Sequence, residues 1–155
     1  MKLYSLETKQ NFAISPQVAW DFLSDPNNLK EITPAYMGFN IISNCENEMY
    51  AGQIIEYIVK PLFGIPFKWV TEITHVEKYN FFVDEQRFGP YVFWHHKHYL
   101  KPIKGGVEIK DIIHYKIPFG ILGQLIHPII VYPKLKEIFK YRTEILKKKF
   151  GIIKN

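Results

Sequence analysis

From Phe39 to Ile117 the chain alternates apolar and polar positions almost without interruption. Six runs, "FNIISN", "QIIEYIVK", "FKWVTEITHVEKY", "FFVDEQRF", "YVFWHHKHYLK" and "VEIKDIIHYKI", are rich in β-branched and aromatic residues and are parted by Gly, Pro, Asn or charged turns. A period of two places alternate side chains on opposite faces of a strand, and connections this short make successive strands antiparallel neighbours. One meandering sheet follows, and its apolar face needs a cover. The cover comes at the end of the chain. "YPKLKEIFKYRTEILKKKF" carries apolar residues at 135, 138, 139, 145, 146 and 150, the spacing of an amphipathic helix of about 19 residues that begins at Pro133.

The segment before the sheet is predicted to hold a strand and two short helices. Residues 2 to 14 put Tyr4, Leu6, Phe12 and Ile14 on one side and Glu7 and Lys9 on the other. "ISPQVAWDFLSDP" starts a helix with Ser15 as N-cap and Pro16 at its first position, and Pro26 ends it. Asp25 and Pro26 then start "NNLKEIT", which Pro34 closes. Between sheet and last helix, "PFGILGQLIHPIIV" sets Pro118, Gly120, Gly123 and Pro128 among large aliphatics, which predicts a loop or short helical turn covering an apolar interior. The fold class is therefore α+β: a curved seven-stranded antiparallel sheet wrapped around one long C-terminal helix, with two short helices after strand 1. A chain of 155 residues buries about two-thirds of its unfolded surface and reads as a single domain over residues 1–155. Such a sheet leaves a cavity against its helix unless large side chains fill it, and cavities with aromatic and aliphatic walls take small ligands.

Composition excludes several classes. No run of about 18 apolar residues occurs, and "MKLYSLETKQNFAI" lacks the features of a signal peptide, so a soluble, cytoplasmic protein without stable membrane insertion is expected. Cys45 is the single cysteine, which rules out an internal disulfide and a cysteine-based zinc site. The net charge of +5 gathers at Lys147, Lys148 and Lys149 beside Lys134, Lys136 and Lys140, where the C-terminal end of a helix dipole favours cations. No broad basic stripe or reading element accompanies them, so no nucleic-acid partner is expected. Oligomeric state is left open.

Four stretches, "SPQVAWDFLSDPNNLKEITP", "FVDEQRFGPYVFWHHKHYL", "DIIHYKIPFGILG" and "IFKYR", together resemble the SRPBCC (START-related, helix-grip) superfamily, most closely its bacterial ligand-binding, cyclase/dehydrase-like branch. The resemblance covers essentially the whole chain. It implies a helix-grip fold around a deep apolar cavity and a hydrophobic partner such as a lipid or polyketide-like small molecule. It implies no particular reaction, because the superfamily holds carriers, sensors and a minority of enzymes, and no cofactor is expected.

The candidate site is read from polar residues that break apolar faces. With "KPIKGG" as the hairpin turn and Pro102 opposite Gly105, His96 falls opposite Asp111, His98 opposite Ile109 and Trp94 opposite Ile113. Asp111 is then a lone acid in the row Val107, Ile109, Ile113, Tyr115 and Ile117, and a buried acid needs a partner: His96 or Arg142. Arg142 interrupts the apolar stripe of the last helix, where it can pair with Asp111 or with a ligand carboxylate, or snorkel at the helix edge. Apolar walls are assigned to Trp69, Phe82, Phe93, Trp94, Ile113, Phe119, Leu122 and Phe139, and the polar end of the ligand to His96, His98, Asp111, Tyr115 and Arg142. His96 and His98 share a face and could chelate a metal with Asp111, but no further ligand or ordered surround is evident, so no metal is expected. The rival class is a cofactor-free cyclase, dehydratase or hydrolase with His96, Asp111 and Tyr115 as the candidate catalytic groups. A partner-dependent regulatory protein is a third. Either Asp84 and Gln86, or Glu85 and Arg87, share the face of His96, depending on the turn at Gly89 and Pro90. His75, His114 and His127 have no partner that the sequence names.

Overall fold

The alternating runs become β1 (Tyr4–Phe12), β2 (Asn40–Ile41), β3 (Ile54–Val59), β4 (Phe67–Glu77), β5 (Phe81–Phe88), β6 (Phe93–Ile103) and β7 (Gly106–Lys116) in a computed structural model that describes residues 2–43, 48–61 and 64–153. They form one antiparallel sheet in the order β1-β7-β6-β5-β4-β3-β2, with β1 brought across to pair with β7. β2 is shorter than the run "FNIISN" predicts, and Asn44 and Cys45 lie outside the described residues.

Local chemistry sets the helices. The Ser15 hydroxyl accepts the Val18 N–H at 3.2 Å and opens α1 (Pro16–Leu23). Asp25 accepts the Asn27 N–H at 2.9 Å and opens a 3₁₀ turn over Pro26–Lys30, shorter than the second helix expected, and another turn follows at Ala35–Met37. The largest departure comes after the sheet. The segment expected as a loop or short helical turn is helical throughout: α2 (Gly120–Ile126), a π turn (His127–Val131) and α3 (Tyr132–Phe150) run on without a break. Pro128 and Pro133 each lack an N–H, and the widened turn absorbs the loss by passing the Tyr132 N–H to His127 O, five residues back.

The β6–β7 hairpin is displaced by two residues from the expected register. Ile103 pairs with Gly106 across a two-residue turn, Lys104 and Gly105, in which Gly105 takes φ +83°. His96 therefore lies opposite Ile113, His98 opposite Asp111 and Trp94 opposite Tyr115. Gly106 also lets β1 close on the hairpin, since a Cβ there would collide with the Phe12 carbonyl. A two-residue slip leaves every side chain on its expected face.

Two apolar clusters fill the space between sheet and α3. One includes Phe12, Phe82, Leu100, Ile109 and Leu146, the other Trp69, Trp94, Ile113, Leu135 and Phe139. Burying a side chain of this size is worth about 1.5–3 kcal/mol, so these contacts hold α3 on the sheet. Between the clusters, five elements bring polar residues together: Thr8 from β1, Asp84 from β5, His96 and His98 from β6, Asp111 from β7 and Arg142 from α3. A polar seam thus divides the core.

Candidate functional site

Sheet register builds the seam. Asp84 pairs with His96 across β5 and β6, and Asp111 pairs with His98 across β6 and β7. Each acid also reaches the other histidine diagonally. Asp111 Oδ1 lies 3.0 Å from His96 Nε2 and 2.9 Å from His98 Nδ1, while Asp84 Oδ2 lies 2.7 Å from His98 Nε2 and 3.4 Å from His96 Nδ1. The two imidazole centroids lie 3.7 Å apart with their planes tilted by 38°, and Phe82 stacks on His98 at 4.1 Å. From α3, Arg142 Nη2 sits 3.3 Å from Asp111 Oδ1, and the Thr8 hydroxyl donates to Asp111 Oδ2 at 3.3 Å. His96, His98, Asp111 and Arg142 are all buried.

The charges in this seam balance one another. Burial alone would raise the Asp111 carboxyl, but the Arg142 charge and hydrogen bonds from His96 and His98 outweigh it and hold the acid well below the usual carboxylate range. Burial likewise opposes ionisation of Asp84, and the two histidines, helped by a hydrogen bond from Trp94, bring it below its usual value. Burial would lower His98, but hydrogen bonds to Asp111 and Asp84 raise it. His96 is lowered, by burial first and then by the charge of His98. Of the two imidazoles, His98 is thus the one that takes up a proton more readily.

A cavity of about 180 Å³ opens along this seam. Its sheet wall holds Trp69, Phe82, Trp94, Asp84, His96 and His98; its helix wall holds Leu135, Phe139 and Arg142; α1 and the turn after it add Leu23, Pro26 and Leu29. The Trp69 indole N–H and Arg142 Nε, both in residues of this lining, are buried without a hydrogen-bond partner.

The structure brings seven of the residues read from the sequence to this cavity: Trp69, Phe82, Trp94, His96, His98, Phe139 and Arg142. Asp111 stands behind the histidines. Ile113 and Tyr115 are fully buried in the second apolar cluster rather than in the lining, and the Tyr115 hydroxyl lies 2.7 Å from His127 Nε2, which supplies the partner His127 lacked. Three assignments are corrected. Phe93 is on the outer face of β6, and Phe119 and Leu122 are 79 % and 60 % exposed, because the helical path of α2 turns them outward. Asp84 and Gln86 take the inner face: Gln86 Nε2 donates to Tyr91 O at 2.6 Å and pins the turn, while Arg87 pairs outside with Glu72 and Glu85. Sequence reasoning missed Tyr57, Thr71 and Tyr91 in the wall. For Tyr57 and Thr71 the signal was present in the alternation of β3 and β4, whereas Tyr91 lies in a turn.

No protein-family model matches the chain, and no curated protein matches it at a significant level. Solved structures do. A protein of Thermus thermophilus superposes with a TM-score of 0.69 at 14% identity, covering 95% of both chains. A Rhodobacter sphaeroides protein gives 0.63 at 17% identity over 93% of both. Ara h 8.0201 gives 0.61 at 16% identity over 94% of this chain and 99% of its own. These neighbours share a helix-grip-like antiparallel fold with this chain, and at such identities they speak to fold alone. No helix among the described residues is long and apolar enough to cross a membrane.

Proposed function

We propose that this chain is an SRPBCC-like cytoplasmic protein that binds a hydrophobic or amphipathic small molecule, lipid or polyketide-like, in the cavity between sheet and α3. One observation carries the reading: the same cavity has apolar walls on both sides of a buried polar seam, with two unpartnered donors, Trp69 Nε1 and Arg142 Nε, among the residues around it. A buried donor without a partner costs about 1–3 kcal/mol, which a ligand oxygen would recover. An apolar cavity of roughly 150 Å³ is known to accept benzene, so one of about 180 Å³ has room for a single ring. Purification under native conditions, followed by mass spectrometry of the extract, is expected to recover a stoichiometric small molecule with a carbonyl, carboxyl or phenolic end. An empty extract, together with unchanged tryptophan fluorescence across a panel of fatty acids and aromatic polyketides, would overturn the reading.

A second reading, a cofactor-free cyclase, dehydratase or hydrolase, is supported by the 3.0 Å contact of His96 with Asp111 and by the lowered basicity of His96, which leaves a neutral imidazole able to take a proton. Turnover that His96→Ala removes while ligand binding persists would select it.

A further inference from the structure

The donors and acceptors of the seam do not match when its imidazoles are neutral. Four ring nitrogens face carboxylate oxygens at 2.7 to 3.4 Å, yet a neutral imidazole carries a single N–H. The single N–H groups can be placed in more than one way: in one, His98 Nε2 donates to Asp84 at 2.7 Å and His98 Nδ1 accepts from Arg142 at 3.4 Å; another gathers the free lone pairs on one side. If His96 donates through Nε2 and His98 through Nδ1, both hydrogen bonds fall on Asp111 Oδ1, at 3.0 and 2.9 Å. The free lone pairs of His96 Nδ1 and His98 Nε2 then converge with Asp84 Oδ2, three electron-pair donors with no proton between them. Metal-binding histidines characteristically donate their other ring nitrogen to a carboxylate, which fixes the tautomer; here one carboxylate does so for both rings.

We propose that Asp84 Oδ2, His96 Nδ1 and His98 Nε2 form a two-histidine, one-carboxylate site for a divalent first-row metal ion in the cavity wall, with Asp111 as its positioning residue. Bonds of about 2.0–2.2 Å place ligand atoms roughly 3.3–3.6 Å apart at tetrahedral angles and about 2.8–3.1 Å apart at right angles. The distances from Asp84 Oδ2 are 3.4 Å to His96 Nδ1 and 2.7 Å to His98 Nε2, and one donor atom from each of the three residues lies within 4.8 Å of the others. The sequence argued against a metal because it offered no ligand beyond His96, His98 and Asp111 and no ordered surround; the fold brings Asp84 to the two imidazoles and places Asp111 behind them. Imidazole with carboxylate suits zinc, iron and cobalt, and three protein ligands leave coordination positions open, as catalytic rather than structural sites do.

The surroundings favour such an ion and constrain what joins it. Asp84, His96 and His98 line the cavity, so the open positions face the space where a ligand sits. Arg142 stands at the Asp111 end, 3.4 Å from His98 Nδ1, where it neutralises the positioning carboxylate rather than occupying the ion's place. Two carboxylates and one guanidinium leave a single negative charge, which a divalent ion turns to a single positive one. An anionic oxygen, whether carboxylate, enolate or hydroxide, would then complete both the coordination and the charge balance.

The inference does not depend on the organic ligand, and its test uses the metal alone. Chelator-treated protein is titrated with Co²⁺, then Zn²⁺, and the visible d–d bands are followed. One equivalent of Co²⁺ is expected to give bands that Zn²⁺ abolishes; Asp84→Asn should remove them, and Asp111→Asn should weaken binding by about 10–100-fold in protein that remains folded by circular dichroism. Imidazole ¹⁵N spectra of the wild-type protein locate the ion without any variant, with Zn²⁺ expected to shift His96 Nδ1 and His98 Nε2. Folded wild-type protein that gives no bands with millimolar Co²⁺ overturns the proposal, and so does binding that shifts other histidines instead.

Discussion

Asp111 and Arg142 form one ion pair, but their substitutions should differ greatly in cost. Asp111 accepts from four directions, His96, His98, Arg142 and Thr8, at 2.9 to 3.3 Å, and its removal leaves a buried guanidinium without its counter-charge and two imidazoles without their shared acceptor. Losing one partner of a buried charge network costs about 3–5 kcal/mol, and Asp111→Asn belongs in that range because the amide keeps the shape but not the charge. Arg142 has that one acid and a 3.4 Å approach to His98, and its Nε is already buried without a partner. Arg142→Met removes this orphan donor, adds apolar contact beside Phe139, and leaves Asp111 three of its four donors. Its cost should be about 1–3 kcal/mol, the scale of one charged hydrogen bond. For a domain of this size each kcal/mol shifts Tm by about 2–4 °C, so Asp111→Asn should fall by roughly 6–20 °C and Arg142→Met by markedly less. Urea and calorimetric unfolding at pH 7 measure both, and the double variant should be less unstable than the sum of the singles. If Arg142→Met costs as much as Asp111→Asn, or if Asp111→Asn costs under about 1 kcal/mol, the seam is not organised around Asp111.

Three further outcomes follow from the packing. Phe119→Ser and Leu122→Ser, on the exposed side of α2, should each change stability by no more than about 0.5 kcal/mol and leave ligand binding as it was, measured by thermal melts and fluorescence titration. Phe139→Ala, which empties part of the helix wall, should cost about 3–5 kcal/mol and let larger ring systems bind, visible as a reordering of affinities across a ligand panel. At high pH, burial raises the Tyr57 and Tyr91 hydroxyls far above their usual value and pushes Tyr115 up to about 12. The unfolded chain gives up these protons near pH 10 while the folded one keeps them, so stability should fall as pH rises from about 10, and tyrosinate absorbance should appear together with unfolding.

The periodicities that set the fold are local, and they were legible. Alternation from Phe39 to Ile117 announced the sheet, the Ser15 and Pro16 pair announced α1, and the stripe through Leu135, Phe139 and Leu146 announced α3. The face shared by Trp94, His96, His98, Asp111 and Ile113 was also legible despite a register two residues off, because a slip of two preserves the alternation that a slip of one would invert, whereas Phe93 was put on the wrong face. The path of residues 120 to 131 was not, since glycine and proline among aliphatics suit a loop and a π turn equally, and Phe119 and Leu122 were misplaced with it.

The residues alone thus decided that a polar group would interrupt each of three apolar faces, at His96 and His98, at Asp111 and at Arg142. Tertiary structure alone decided that those interruptions meet, and that Asp84 rather than Asp111 faces the cavity beside both imidazoles. Alternation tells which way a side chain points. How far along its neighbour each strand is set depends on turn geometry, on the bulges of β4 against β5 and on the close approach of β1 at Gly106, and those are settled by chain segments far apart in sequence.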